Sequence, residues 1–225
     1  MAKAVIQSKS KTEQVYDYLY EQIINCERAP GSRLVIDQIA SDLGVSQIPI
    51  REAIFRLEKS GFVTFETHVG AKVAELHAEH ISEIFQVLEA MEVISGRAAC
   101  ARICPKELKH LEKLTQKMAH AVHDPNQWSQ YNMEFHQYIC DIAETGLVKK
   151  MLHEALSHWD RLRHSFLKEV SAKRVELAQQ EHSLLLEALN NKDADAFEAV
   201  VRQHNQASLK AYIAHLEAIG ELDAA

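Results

Sequence analysis

The sequence predicts a mainly α protein in two parts: an N-terminal helix-turn-helix with a short β-hairpin behind it, then an all-helical bundle. Three observations predict it. The run RLVIDQIASDLGVSQIPIREAIFRLEKSGFV, from Arg33 to Val63, carries two apolar stripes at helical spacing with a glycine and a capping serine between them. Past Leu76, glycine almost disappears and no strand-like alternation persists. The charge is uneven as well: a formal −7 overall divides into −1 up to Glu75 and −6 beyond it. The expected domains are therefore residues 1–76 and 77–225.

Residues 1 to 10 are polar and small and are expected to fray. From Thr12 to Glu27 the set Val15, Tyr16, Leu19, Tyr20, Ile23 and Ile24 recurs at helical spacing, and Pro30-Gly31 turns the chain. Ile36, Ile39, Ala40 and Leu43 give the next helix one apolar face. Gly44 ends it, where a left-handed residue is wanted. Ser46 is placed to cap the following helix, and Pro49 falls in that helix's first turn, where a missing N–H costs little. Its inner face is Ile50, Ala53, Ile54 and Leu57, and Gly61 stops it. Phe62 to Phe65 is β-prone, His68-Val69-Gly70 turns, and Ala71 to Ala74 returns.

Gln47 and Arg51 lie four residues apart, so they point outward together from the start of the second helix. That end of a recognition helix enters the major groove of duplex DNA. Arginine grips guanine O6/N7 with two bonds, and glutamine can do the same to adenine N6/N7. The acidic total opposes nucleic acid, but the excess lies outside this unit, where the placement of Arg33, Arg51, Arg56 and Lys72 matters more.

The residues PGSRL (Pro30 to Leu34), then LGVSQIPIREAIFRLEKSGFV, then a glycine-containing hairpin, resemble the GntR superfamily of bacterial transcription regulators. The resemblance covers most of residues 12 to 74. It implies DNA-contacting roles for Arg33, Ser46, Gln47, Arg51, Arg56, Gly70 and Lys72, with Arg33 on a phosphate and Gly70 in the wing. Two positions depart from the family: Gln47 and Val69 stand where arginine is common. Gln47 implies an altered base preference. Val69 implies fewer phosphate contacts and a flatter salt dependence, at about −0.9 in slope per neutralised phosphate.

Beyond Leu76 six helices are expected: Ala78–Arg102, Lys106–His123, Asn126–Glu144, Leu147–Glu169, Ala172–Asn190 and Ala194–Ile219. Pro105 and Pro125 sit at helix starts, and Asp193 is placed as a cap. Three inward faces each carry an imidazole. His136, with Asn132 one turn before it, shares a face with Trp128, Ile139 and Cys140. His182 lies with Ala178, Leu185 and Leu189, and His204 with Phe197, Val201 and Ser208. Burying three imidazoles without partners is costly. A divalent metal satisfies all of them, and a nitrogen and oxygen donor set suits zinc, with nickel or another divalent ion as alternatives.

One winged helix followed by such a bundle is similar to the FadR subfamily, whose effector domain is called FCD. The features that carry it are Glu92, Arg97-Ala98-Ala99, the NMEFH run and the two later histidines. The resemblance implies that Asn132, His136, His182 and His204 hold the metal and that a small organic acid binds beside it. Family members often place an arginine four residues before Glu92; here that position is Leu88. Arg97, Arg102 and Arg163 are the candidate substitutes, with Arg161 pointing about 200° away from Arg163 on the same helix. The expected protein is a homodimeric, ligand-responsive regulator of a double-stranded DNA operator, a repressor in the family's usual sense. The alternatives are a metal-dependent helical enzyme and a metal-free regulator whose histidines bind the effector directly. Against the enzyme, Glu134 and Glu181 are expected to point away from the histidine faces.

Composition sets outer limits. A chain 47% hydrophobic and 25% charged is an ordinary globular protein rather than a disordered one. No apolar run approaches membrane-spanning length and no cleavable leader is visible, so a cytoplasmic protein without a membrane partner is expected. Cys26, Cys100, Cys104 and Cys140 lack CxxC spacing and are expected to be buried free thiols.

Overall fold

The computed structural model describes residues 9–222, so most of the segment expected to fray lies outside the described residues. Ser10, at its end, is ordered work for a helix. Its hydroxyl accepts the Glu13 N–H at 3.2 Å, and the Glu13 carboxylate accepts the Ser10 N–H at 2.7 Å. That reciprocal cap starts α1, Lys11–Ile24.

The chain divides into two compact units after Leu76. In the first, α1 packs on α3, and the core is built from Leu19, Ile23, Ile50, Ala53, Ile54 and Leu57, all with no exposed surface. Helix α2 spans Ile36–Leu43 and ends at Gly44, whose φ of 63° is the left-handed turn that a side chain would resist. Helix α3 spans Gln47–Lys59. Ser46 occupies its cap position with extended backbone, but its side chain makes no capping hydrogen bond. The expected cap is thus positional only. Pro49 needs none of the N–H bonds the serine would supply, which lowers the demand for one.

Strands β1, Val63–Glu66, and β2, Gly70–Val73, pair antiparallel with Val63 opposite Val73 and Glu66 opposite Gly70. The turn after Pro30 does more than reverse the chain. Gly31 and Leu34 donate to the carbonyls of Val73 and Ala71, and Val73 donates to Ser32. Residues 31–34 therefore cover the outer edge of β2, and Arg33 bridges Lys72. A two-strand hairpin is marginal alone; this third segment and the helices hold it.

In the second unit a short 3-10 turn, Ala78–His80, leads into α4, Ile81–Arg102. Helices α5 (Pro105–His120), α6 (Pro125–Ile142), α7 (Gly146–Ser165), α8 (Lys168–Asn190) and α9 (Ala194–Ala218) complete the bundle. Helix α4 packs against α9, α7 and α6, while α8 lies along α9 and α5. The expected break between the fourth and fifth bundle helices falls a few residues early. It lies at Phe166-Leu167, where buried Leu167 stands in the cap position without a capping bond. No glycine, proline or capping side chain marks it in the sequence. Of the four thiols, only Cys100 and Cys140 are buried; Cys26 is half-buried and Cys104 exposed, since it stands at the start of α5.

The closest approach of α4 and α9 depends on Gly96. A Cβ there would lie 1.8 Å from the ring of Phe197, which is 1% exposed and has no room to yield. Alanine would gain about 1 kcal/mol of helix propensity, against overpacking of about 3 kcal/mol. Gly96→Ala is expected to lower the thermal midpoint of the bundle by several degrees. An unchanged or raised midpoint would show that the two helices separate without penalty.

Candidate nucleic-acid face and candidate metal site

In the first unit, Gln47 and Arg51 are both exposed at the start of α3. They are not independent. The Gln47 amide donates to Asp37 Oδ1 of α2 at 2.5 Å, and Arg51 Nη2 donates to Gln47 Oε1 at 3.3 Å. Asp37 thus orients the glutamine, and the glutamine orients the guanidinium. Arg33 is exposed beside β2, Gly70 is exposed at the hairpin tip, and Lys72 is half-buried with its Nζ 3.0 Å from Glu66. Arg56 does not join this set. It lies 140° around α3 from Arg51 by helix geometry, at about 100° per residue, and its guanidinium sits 4.2 Å from the ring centre of Tyr16 on α1. There it makes a cation–π contact between α3 and α1.

In the second unit the bundle brings together the three histidines that the helical faces predicted. Their candidate ligand atoms lie within 4.8 Å of one another. His182 is wholly buried, His136 is 2% exposed and His204 9%. His136 Nε2 and His182 Nε2 are 3.1 Å apart.

The other ring nitrogen of each is already engaged. His182 Nδ1 meets the Ala178 carbonyl at 2.6 Å. His204 Nδ1 meets Glu181 Oε2 at 2.6 Å, and His136 Nδ1 is 3.2 Å from Glu92 Oε1. The Ala178 carbonyl and Glu181 are acceptors, so His182 and His204 carry the hydrogen at Nδ1 and present Nε2 lone pairs. With His136 in the same tautomer, three lone pairs converge on one buried point, and the two at 3.1 Å do not hydrogen-bond each other.

A cation resolves that arrangement. Two imidazoles on one zinc, each at about 2.0–2.1 Å, sit about 3.0–3.4 Å apart, depending on the angle between them. The hydrogen bonds behind His182 and His204 are those a ligating histidine ordinarily uses to fix its tautomer. Asn132 Oδ1 is buried and has no hydrogen-bond partner. It lines the same cavity as His136 and His204. An orphaned acceptor beside converging lone pairs fits a divalent ion, and neutral imidazole is the form that binds one. Burial supplies that form: it pushes His136 down to about 3 and His182 well below the usual histidine range, with the neighbouring His204 adding to both.

Two carboxylates belong to this site that were not expected there. Glu92 is 5% exposed, bonded to Asn205 at 2.7 Å, and burial pushes it up to about 7. Glu181 was expected to point away; instead it reaches His204, because α9 packs alongside α8 and exploits the flank next to the His182 face. Burial alone would raise Glu181, but the bonds from His204 and Arg174 hold it below the usual carboxylate range.

The candidate effector arginines are elsewhere. Arg97 pairs at the surface with Asp195 at 2.7 Å and Glu198 at 2.9 Å. Arg102 is exposed and bonded to the Ala143 carbonyl and to Glu144. Arg163 is buried but serves Asp160 at 2.8 Å and Asn126 at 3.0 Å, and it does not line the cavity. Arg161 is buried too, so the 200° separation did not send one of the pair to the surface; α7 is enclosed on more than one side. The arginine at the cavity is Arg174, whose Nη2 bonds both Glu181 oxygens at 2.7 and 2.6 Å. Its spacing gave a signal: Arg174, Ala178 and His182 repeat every four residues on one face. Leu88 lines the cavity as well.

These groups set a pH dependence for the metal-free protein. His136 and His182 stay neutral when folded but bind protons once unfolded below about pH 6.5. The unfolded chain then holds more protons, so stability falls as pH drops. Glu92 acts oppositely between its ordinary 4.5 and its folded value of about 7, where the folded chain keeps a proton the unfolded chain loses. Two histidines against one carboxyl leave a net loss on acidification, about 1 kcal/mol per pH unit between pH 6.5 and 4.5. Urea unfolding of chelator-treated protein at two pH values in that window checks the sign; stability that rises toward pH 4.5 would contradict it.

Comparison with known proteins agrees with this layout. The FCD domain family matches residues 83–207, and the family of bacterial regulatory proteins called gntR matches residues 11–73. An HTH-type transcriptional regulator of Bacillus subtilis, YdhC, is 28% identical over 85% of this chain and 86% of its own. The Escherichia coli HTH-type transcriptional repressor RspR is 26% identical over 86% and 85%. Among solved structures, E. coli McbR/YncC superposes with a TM-score of 0.79 at 22% identity, covering 92% of this chain and 99% of that one. A GntR-type regulator from Rhodococcus gives 0.73 at 20%, with 92% and 99% covered.

Proposed function

The chain belongs to the FCD-domain family and carries the gntR regulatory domain ahead of it, and from that premise we propose that it is a metal-dependent, ligand-responsive DNA-binding regulator. Proteins of this kind are transcription regulators rather than enzymes. Glu92 and Glu181 do not reopen the enzyme reading: Glu181 is bonded by His204 and Arg174 and Glu92 by Asn205, so neither stands free as a base.

The observation that carries the DNA half is the exposed Gln47–Arg51 pair, oriented from behind by Asp37. Arg51 reads a guanine edge, with Gln47 beside it. Ser46, Arg33, Gly70 and Lys72 of the same unit serve the phosphates. The protein acts as a homodimer, because one half-site limits affinity and a two-fold operator doubles the contacts. Among the relatives RspR is named a repressor, and repression is the sense assigned to this chain. Selection of bound duplexes from a random pool by the full-length protein tests this half. A two-fold consensus with a guanine in each half-site is expected; no enrichment over input would overturn it.

In the effector half, Asn132, His136, His182 and His204 hold a divalent ion, with zinc suited to the nitrogen-rich set. When bound, the ion supplies a Lewis-acid site for a carboxylate oxygen. The chain's own residues do the rest. Glu181 and the Ala178 carbonyl fix the tautomers of His204 and His182. Trp128, Leu88 and Phe85 wall the site from water. The free space is about 40 Å³, room for about three or four waters at about 10–15 Å³ each, and the effector proposed is a small organic acid.

A further inference from the structure

Isoleucine is a core residue of the first unit. Ile23, Ile50 and Ile54 have no exposed surface, and Ile39 is 2% exposed. Ile48 is 68% exposed. A single apolar side chain at a surface is ordinary in itself; here its place matters. Ile48 lies in the first turn of α3, next to Gln47 and three residues before Arg51, both of them exposed. At about 100° per residue it stands about 60° around the helix from Arg51, on the side away from Gln47. Helix side chains lean toward the N-terminus, so Ile48 is carried to the same end that presents the amide and the guanidinium. Pro49, the next residue, is buried and stiffens that turn. Phe55 shares the line of Ile48 but sits about 10 Å further along the helix, and Lys59 Nζ covers its ring at 4.6 Å.

We propose that Ile48 is a specificity-determining residue that packs on the 5-methyl group of a thymine beside the guanine taken by Arg51. This rests on the DNA reading above and adds a second base and the residue that selects it. A duplex seated on Gln47 and Arg51 covers Ile48 as well, and the thymine methyl is the apolar group that bases offer in the major groove. Residues three apart on a helix have Cβ atoms about 5–6 Å from each other, which is one or two base-pair steps of about 3.4 Å. The thymine therefore neighbours the guanine on one strand or the other. Cytosine at that place would set its N4 amino group against an isoleucine that cannot accept a hydrogen bond, so the wrong base is also opposed.

The test uses full-length protein and the operator it selects from a random pool. Each thymine of the half-site is replaced in turn by uracil, in both halves at once, which removes the methyl and keeps the hydrogen-bonding edge. At one thymine within two base pairs of the selected guanine, the wild type is expected to lose about fourfold in affinity per half-site, or about 15-fold over the two. Ile48→Ala is expected to bind the thymine and uracil operators within about twofold of each other, at close to the affinity of the wild type for the uracil operator. The high exposure of Ile48 and the helix propensity of alanine keep that variant folded, and an unchanged thermal midpoint checks it. A consensus without such a thymine, a wild type indifferent to uracil, or the same uracil penalty in Ile48→Ala overturns the proposal while the regulator reading stands. A pool with no enriched sequence overturns the DNA reading and this inference with it, so the selection step tells the two failures apart.

Discussion

Replacing His182 with alanine is expected to strip the divalent ion from the protein, from close to one per chain to background by elemental analysis. The residue has no exposed surface, and its Nε2 lies 3.1 Å from that of His136. Its Nδ1 is fixed by the Ala178 carbonyl at 2.6 Å, so the lone pair has one direction to point. Losing it removes one of three imidazoles from a set whose fourth member, Asn132, is a neutral oxygen donor. The loss in affinity should exceed the 10–100-fold typical of removing an outer-shell partner. Glu181→Gln provides that smaller step, because it weakens only the carboxylate behind His204. A zinc competition titration should therefore rank wild type first, Glu181→Gln second and His182→Ala last. If gently purified wild type holds no metal and His182→Ala differs from it only in binding an organic acid, the histidines contact the effector directly and the metal assignment is wrong.

The second large effect lies in the other unit. Arg51→Ala is expected to abolish specific operator binding in an anisotropy assay while leaving non-specific DNA binding nearly intact. A bidentate arginine–guanine pair is worth about 1–3 kcal/mol, and a dimer uses the residue twice, so the specific affinity should fall by about 30-fold or more. Gln47→Ala should cost less in affinity but change which base is preferred, since it frees Arg51 from the Asp37–Gln47 relay. Equal loss of specific and non-specific binding in Arg51→Ala would mean the guanidinium meets a phosphate and not a base.

Local signals in this chain were strong enough to read. The turn between α2 and α3 carries its own punctuation in Gly44 and Pro49, and the inner face Ile50, Ala53, Ile54, Leu57 came from spacing alone. His136, His182 and His204 were legible for the same reason, as each sits in an apolar stripe four residues wide. What stayed hidden depends on neighbours distant in sequence. Glu92 reaches His136 and Asn205 from a different helix. Glu181 and Arg174 were misjudged or missed, because a helix packed on two sides buries more than one face. The pairing of residues 31–34 with β2 leaves no periodicity to find, and the break at Leu167 has no capping residue. The structure places Arg97, Arg102 and Arg163 outside the cavity lining, because surface ion pairs and cavity-lining arginines look alike in a sequence.

The most direct measurement of the account is the affinity of zinc-loaded full-length protein for its selected operator, with and without a saturating small organic acid such as succinate. A coupling of about 1–3 kcal/mol corresponds to roughly 5–150-fold. The expected result is operator binding at least about fivefold weaker with succinate present, and no such change in His182→Ala. Identical operator affinity with and without the acid, in protein shown to hold both zinc and succinate, would contradict the claim that this histidine site governs the DNA-binding unit.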